Sequence, residues 1–569
     1  MELDNCFNPL FRRKNVTELK NGWLFSIDNK TWQNINVPFC PQSVLSGIGY
    51  TDFIPQCYYK NTFTINNKSE KTVLHFGAVD FCATVFLNDN CVAVHKGGFT
   101  PFEVDISDYI HQGENQLFVI VKDGQKGDAF GKQSYKKNSF GCFYTRTTGI
   151  WQPVWLEFIP NKHIKEFYFY PNVSECSVDV DLSVVKEGNY DIQVLFDGKV
   201  VGNANGNVIY RAKITIPLSE KHLWEVGDGK LYDVIIRYEN DEVYTYFGLR
   251  EVCYNGYDLH VNGKRVYQKL VLEQGYNPQG IYTTPNIEFM KRDIQSALDL
   301  GFNGLRLHQK VFEPYYLYLC DKMGVMVWGE FPSWGIDYSN VNSIGQFLNE
   351  WQEVIKRDFN HPSIVTWCPL NEVWGEWDDP RWARDVKTVE LVYNYTKTVD
   401  STRPCVDTSG GHHCANTDLF DFHCYEPLDQ IKAVLDRLEN QDVLECNLLY
   451  NKEENIKYQK GMPCNLSECG GYAFTKQELL IETDTVSESA IQSEESWGYG
   501  KSETDGNKFV QRYVDLISLI KQYKKLSGFC YTQLYDVEQE QNGFYNYDRS
   551  DKLTEEQKQI IKRINDEIV

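Results

Sequence analysis

From about Asn255 onward the chain changes rhythm, and short apolar runs alternate with long helical patterns. A short continuous apolar run reads as a strand buried on both faces, and a long 3.6-residue periodicity reads as the helix that covers it. VYQKLVLEQG precedes NIEFMKRDIQSALDLG, FNGLRLH precedes FEPYYLYLCDKMG, and VMVWGEF precedes FLNEWQEVIKRDF. IVTWCPLNE precedes RWARDVKTVELVYNYTKTV, whereas RPCVDTS has no clear helix of its own before LFDFHCYE and LDQIKAVLDRLEN. PCNLSECGG precedes NKFVQRYVDLISLIKQY, and GFCYTQLYD precedes TEEQKQIIKRINDE. Eight strand candidates result, the tally of a closed (β/α)8 TIM barrel over residues 255–569. A doubly wound open sheet is the competing fold, but no Gly-rich phosphate turn follows the first strand.

The chain before this barrel reads as all-β. TVLHFGAVD, ATVFLNDNCVAVHKG and NQLFVIVKD alternate in the period of half-buried strands. LNDN marks a hairpin turn, and Gly97-Gly98 marks a tight corner. Residues 1–160 therefore read as a β-sandwich. YDIQVLFDG, RAKITIP, LYDVIIRYEN and VYTYFGLR continue the pattern over residues 161–254, with the size and strand count of an immunoglobulin-like sandwich. A length of 569 residues is in keeping with about three domains.

A formal charge of −22 argues against nucleic acid and against an anionic membrane surface, both of which need basic faces. No run approaches a membrane span, and MELDNCFNPLFRRKNVTELK has no apolar core of the secretory type. The 17 cysteines sit mostly in strand-like runs without CxxC spacing, which fits reduced, buried small hydrophobes in a cytoplasmic protein rather than metal ligands.

Strand C-termini of a barrel share one cleft. The apolar run Ile364 to Leu370 stops at Asn371-Glu372, and the strand in GMPCNLSECGG ends at Ser467-Glu468. Two carboxylates facing each other across a glycosidic bond supply an acid for the leaving oxygen and a nucleophile or base for the anomeric carbon. Trp367, Trp374 and Glu376 around Glu372 should raise its pKa as an acid requires, and Gly470-Gly471 should let partners approach Glu468 closely. Arg306 can hold the nucleophile ionised, Tyr425 can donate to it, and Asn371 can bond a sugar 2-hydroxyl. His308, Glu330 and His423 are candidate pocket residues. Residues 474–505 form a long acidic, Ser-rich segment expected to flank the cleft, with Trp497 and Tyr499 as substrate contacts.

With these phrases in place, the chain resembles glycoside hydrolase family 2, the β-galactosidase, β-glucuronidase and β-mannosidase family. VLHFGAVDFCATVFLNDNCVAVHKGGFTPFEVDIS and TRTTGIWQPVWLE resemble its jelly-roll sugar-binding domain, and GFNGLRLH, HPSIVTWCPLNE and NLSECGG resemble its barrel. The resemblance implies a retaining, exo-acting β-glycosidase with Glu372 as acid/base and Glu468 as nucleophile. It also implies a carbohydrate partner and a homo-oligomer.

Departures from the family pattern bear on the sugar. β-Glucuronidases of the family carry an Asn-x-Lys element near the last strand, where the Lys pairs with the uronate carboxylate, whereas EQEQNGFYNYDRS here has no Lys and is acidic, which should repel a uronic acid. The large β-galactosidases place metal ligands around Asn-Glu-Ser-Gly, but here the pair is followed by Val373-Trp374-Gly375, so no metal or cofactor is expected. Their last-strand Trp is replaced by Thr532 or Gln533, and Gln533 is taken as a substrate contact. A β-galactosidase-like activity is the default expectation. β-Glucuronidase, β-mannosidase, α-L-arabinosidase and β-galactofuranosidase are the alternatives. A non-catalytic carbohydrate-binding protein is the reading from another class, but a decayed barrel would be expected to lose a carboxylate or Arg306. A barrel lyase or aldolase would need a Schiff-base lysine, for which Lys269 and Lys310 are the nearest candidates.

Overall fold

The computed structural model describes residues 7–66, 69–124, 127–373, 386–425, 427–440, 443–444, 458–475 and 495–568. Two sandwiches precede a barrel, in the order that the periodicity predicts. In the first, a sheet runs Gln33–Asn34, Leu24–Ser26, Gln56–Ile65, Gly113–Lys122, Cys82–Leu87, Asn90–Lys96. It packs on a second sheet of Val16–Glu18, Val154–Ile159, Lys71–Phe76 and Phe102–Asp105. Alternate residues Cys57, Tyr59, Phe63 and Ile65 enter one apolar core with Trp23, Phe25, Leu74, Val119 and Leu156. The LNDN turn joins Cys82–Leu87 to Asn90–Lys96, with Asn88 and Asp89 at φ 47° and 66°, the left-handed values that a type I′ turn requires.

The immunoglobulin-like sandwich stacks Ile164–Asn172, Ser177–Val184 and Arg211–Pro217 on Lys199–Val208, Gly188–Phe196, Tyr232–Tyr238 and Asp241–Phe247. Phe169, Val180, Ile192, Val234, Ile236 and Phe247 fill it. Arg13 clamps the two sandwiches, donating at 2.9 Å to both Glu157 and Asp241. Arg250 then ties the second sandwich to the barrel through the carbonyls of Pro362 and Ile364.

In the barrel, seven parallel strands are hydrogen-bonded in the order four (Ile364–Cys368), three (Met326–Glu330), two (Gly304–Leu307), one (Gln268–Glu273), eight (Leu526–Thr532), seven (Cys464–Gly470) and six (Phe420–Cys424). The fifth expected strand, RPCVDTS, takes the eighth place as isolated bridges to strand four at Cys405 and Ser409. Side chains replace its ladder to strand six: Ser409 Oγ and Gly410 N donate to the Asp421 carboxylate, and His413 Nε2 meets the Asp421 carbonyl. The helices Ile287–Asp299, Pro314–Met323, Val341–Asp358, Val386–Val399, Leu428–Asn440, Gly506–Ile520 and Glu555–Asp566 fall on the periodic stretches. A small sheet of Val252–Asn255, Asp258–Val261 and Lys264–Val266 plugs the N-terminal end, where Leu259 and Val261 share a core with Leu270, Met326, Trp328 and Val365. With that end sealed by apolar side chains, the polar residues at the C-terminal strand ends are left to form the cleft. Among the described residues no helix is long and apolar enough to cross a membrane, and the cysteines are free thiols.

The predicted Gly97-Gly98 corner lies where the first sandwich meets the barrel. A Cβ on Gly97 (φ 140°) would stand 2.8 Å from the Glu350 carboxyl carbon, so only glycine fits. Glu350 is 1% exposed, and burial, reinforced by Glu353, pushes its carboxyl up to about 8 despite a hydrogen bond from Gln346. A raised carboxyl contributes stability that is fully present below its unfolded value of about 4.3 and is lost as pH rises through the folded value. Glu350→Gln should therefore raise the thermal unfolding midpoint in buffers above that folded value and leave it unchanged in buffer below about pH 4. An equal shift at both pH values would contradict the assignment.

Candidate active site

Arg306, on strand two, is fully buried and organises the cleft. Its Nε donates to Glu330 at 2.9 Å, Nη1 to Glu468 at 2.7 Å and to the Ser467 carbonyl at 3.1 Å, and Nη2 to Asn371 Oδ1 at 2.6 Å. One planar fork thus links the ends of strands three, four and seven, which a lysine could not do. Glu330 also accepts from the Gln309 backbone at 3.1 Å and lies 3.0 Å from His308 Nδ1. Burial, with Lys132 and Arg306 nearby, drives His308 well below the ordinary histidine range, so it is a neutral ring.

Glu372 and Glu468 face each other, with His423 between them. His423 Nδ1 is 3.0 Å from Glu372, and Nε2 is 3.5 Å from Glu468 and 3.0 Å from Ser409 Oγ. Gly410 (φ 69°) makes room for that ring, since a Cβ there would lie 2.4 Å from it. Burial opposes protonation of His423, but the charges of Glu468 and Glu372 win and raise its pKa. Burial likewise favours a neutral Glu468, yet His423, Arg306 and the Tyr425 hydroxyl outweigh it and hold the carboxyl below the ordinary carboxylate range. The Tyr425 hydroxyl donates to Glu468 Oε2 at 2.5 Å. Glu372 differs, with a side chain 29% exposed against 7% for Glu468. Its backbone is left-handed (φ 49°), held by donation to the Ser409 carbonyl at 2.8 Å, and strained backbone of this kind concentrates at functional positions.

Several expectations from the sequence change. Trp367 does not shield Glu372, because its indole donates outward to Asp400 and its ring meets Trp351 edge-on. Trp374 and Glu376 lie outside the described residues, as does most of the acidic 474–505 segment. Tyr499 stacks on Tyr425 at 3.8 Å, and Gly471 (φ 59°) gives it space, since a Cβ would come within 2.5 Å. Trp497, expected to offer its face to substrate, is 2% exposed and donates to the Gly141 carbonyl, so it fastens the barrel to the first sandwich. Gln533 is wholly buried and donates to Asn542, which donates to Glu540, so it belongs to a buried polar chain. Lys310 is committed to the carbonyls of Gly275 and Tyr282, and Lys269 to that of Asn565.

Sequence reasoning missed what the first sandwich brings. Its 127–147 loop crosses the barrel mouth: Phe130 and Gly131 donate to the Trp334 carbonyl, Gln539 donates to Gly141 and Phe143, and Tyr144 donates to Glu540. Trp334 in turn donates to the Asn371 carbonyl at 3.2 Å. Two of the three acids of EQEQNGFYNYDRS are thereby engaged, Glu538 by the Thr145 backbone and Glu540 by Tyr144. No periodic signal marks such a loop; its polar GKQSYKK stretch reads as solvated turn.

The site thus offers one ionised, multiply hydrogen-bonded carboxylate and one more accessible carboxyl, with oxygens that lie within 4.8 Å of each other. Glu372, His423 and Glu468 are also the one group among the described residues whose ligand atoms are close enough to hold a metal ion, again within 4.8 Å. Arg306 and Tyr425 already occupy the Glu468 oxygens, which favours the pair acting on a bound sugar over a metal site.

Two sandwiches ahead of a barrel with a strand-end carboxylate pair are the architecture of a multidomain glycosidase. Family models agree along the chain: "Glycosyl hydrolases family 2, sugar binding domain" matches residues 29–160, "Glycosyl hydrolases family 2" matches 162–250, and "Glycosyl hydrolases family 2, TIM barrel domain" matches 255–547. The chain belongs to glycosyl hydrolases family 2. It is 26% identical over 374 residues to a β-glucuronidase of Streptococcus agalactiae, covering 56% of this chain and 59% of that protein. It is 25% identical over 483 residues to a β-galactosidase of Thermoanaerobacterium thermosulfurigenes, covering 77% of this chain and 64% of that one. The chain therefore spans less than two thirds of the length of either relative. The structure of a β-D-glucuronidase of Dictyoglomus thermophilum superposes with a TM-score of 0.78 at 20% identity, covering 98% of both chains, and shares the fold.

Proposed function

We propose that the chain is a retaining, exo-acting β-glycosidase, with Glu468 as nucleophile and Glu372 as general acid/base. The supporting observation is the separation of the two carboxylates, whose oxygens come within 4.8 Å. Double displacement uses carboxyl groups about 5–5.5 Å apart, whereas inversion needs about 6.5–9.5 Å to seat a water. Glu372 protonates the glycosidic oxygen while ionised Glu468 attacks the anomeric carbon. Glu372 then takes a proton from the water that cleaves the glycosyl ester. Asn371 Nδ2 is buried without a partner among the described residues, because Arg306 engages only its oxygen, and it is free to donate to a sugar hydroxyl. The sandwich loop walls the cleft on one side, which favours a chain end over a chain interior.

A β-galactoside is the sugar expected from the sequence. The names of the relatives divide between β-glucuronidase and β-galactosidase, and engagement of Glu538 and Glu540 by the sandwich loop weakens the argument that this stretch repels an acidic sugar. A panel of nitrophenyl β-galactoside, β-glucuronide, β-mannoside, α-arabinoside and β-galactofuranoside, with and without EDTA, tests the reading. Turnover of at least one β-glycoside, unaffected by EDTA and with the β-anomer as first product by NMR, is expected. An α-anomeric first product would refute double displacement, and loss of turnover in EDTA would refute metal independence.

A further inference from the structure

Lys132 lies in the sandwich loop that crosses the barrel mouth and is 6% exposed. The loop holds its backbone firmly: the Tyr144 N–H donates to the Lys132 carbonyl at 2.7 Å, and neighbouring Gly131 donates to Trp334 at 3.1 Å. Gly131 (φ 59°) sits so close to strand two that a Cβ would lie 2.6 Å from the Gln309 carbonyl oxygen. The ammonium rests 4.9 Å from the centre of the Trp334 ring and 6.0 Å from that of Tyr144. Trp334 is bonded to the carbonyl of Asn371, next to Glu372, and Tyr144 is bonded to Glu540. Lys132 thus reaches the cleft from a different domain.

No hydrogen bond or ion pair joins its ammonium to any of the described residues. Burial should push such a group down, yet the carboxylates around it, Glu540, Glu468 and Glu372, act against burial, and it stays an ammonium. A buried cation without hydrogen bonds is costly unless a ligand completes it, and an anionic oxygen pair completes it best. The Glu468 carboxylate is already satisfied by Arg306 and Tyr425, and Glu540 by Tyr144 and Asn542. Glu372 meets His423 Nδ1 at 3.0 Å, so among the described residues the open place is left to a bound substrate.

Resting on the glycosidase reading above, we propose that Lys132 is a specificity-determining residue that receives the carboxylate of a terminal β-linked hexuronic acid, contributed by the sandwich domain in place of a barrel lysine. Neutral sugars fill the same cleft but leave the ammonium without its anion. The acid group is then selected by a loop that the barrel sequence does not contain.

The test compares kcat/KM for nitrophenyl β-glucuronide and β-galacturonide with that for the matching β-glucoside and β-galactoside, in wild type, Lys132→Met and Lys132→Arg. In wild type a uronide should be preferred over its neutral counterpart. Lys132→Met should lower the uronide-to-neutral ratio roughly 10- to 100-fold, the worth of one charge-assisted hydrogen bond, and Lys132→Arg should keep part of it. Should Lys132→Met fail to fold, inhibition of the wild type by free glucuronate or galacturonate against glucose or galactose gives the same answer, with the acids expected to bind more tightly. Equal losses on both substrate types, or no wild-type preference for the acid, would overturn the role of Lys132 while leaving the glycosidase reading intact. Absence of turnover on every glycoside would instead count against that underlying reading.

Discussion

Glu468→Ala should lose turnover of an aryl β-glycoside almost completely, and azide should restore it with formation of the α-glycosyl azide. The reason is geometric. Glu468 is the carboxylate that Arg306, Tyr425 and His423 keep ionised inside an otherwise buried site, so under the proposed roles its removal leaves no nucleophile and opens a space of anion size. Azide entering that space attacks from the face that the carboxylate occupied and inverts the centre once. Glu372→Ala should behave differently. With an activated leaving group the glycosyl ester still forms, but its hydrolysis lacks a base, so turnover should fall by roughly 10²–10⁴-fold. Azide should then accelerate release as the β-glycosyl azide. The opposite anomers separate the two roles. The same anomer from both variants would show that the roles are misassigned.

Arg306→Met should damage stability and activity together. The guanidinium has no exposed surface and serves Glu330, Glu468 and Asn371, so truncation strands two buried carboxylates and should cost about 3–5 kcal/mol. Burial would then act on Glu468 with less to oppose it, and its carboxyl would rise. Because the nucleophile must be ionised, the acid limb of kcat/KM should move to higher pH, and kcat/KM at neutral pH should fall by roughly 10²–10³-fold. Adding Glu330→Gln should recover part of the unfolding midpoint, since it removes one stranded charge, but none of the pH shift. Recovery of both would mean that Arg306 acts only as a structural brace.

Strand ends were legible because their chemistry is local. An apolar run that stops at a polar residue announces what it delivers, and Arg306, Glu372, Tyr425, His423 and Glu468 all converge as that pattern implies. Sites made by distant segments were not legible. Asp421 and His413 close the barrel beside a fifth strand that has no ladder to strand six among the described residues, and nothing in LFDFHCYE marks Asp421 as a substitute for backbone pairing. Trp497 looked available because it sits in a polar stretch, whereas its partner Gly141 lies in another domain. Lys132 is the extreme case, since its position depends on a close glycine contact at Gly131 and on the Trp334 carbonyl.

Trapping the covalent intermediate tests the central claim most directly. The enzyme would be inactivated with the 2-deoxy-2-fluoro derivative of whichever glycoside it hydrolyses best, then digested and mapped by mass spectrometry. The geometry predicts one fluorosugar per chain, esterified to Glu468 and absent from Glu372. A label on Glu372, or no label together with an inverted product, would contradict it.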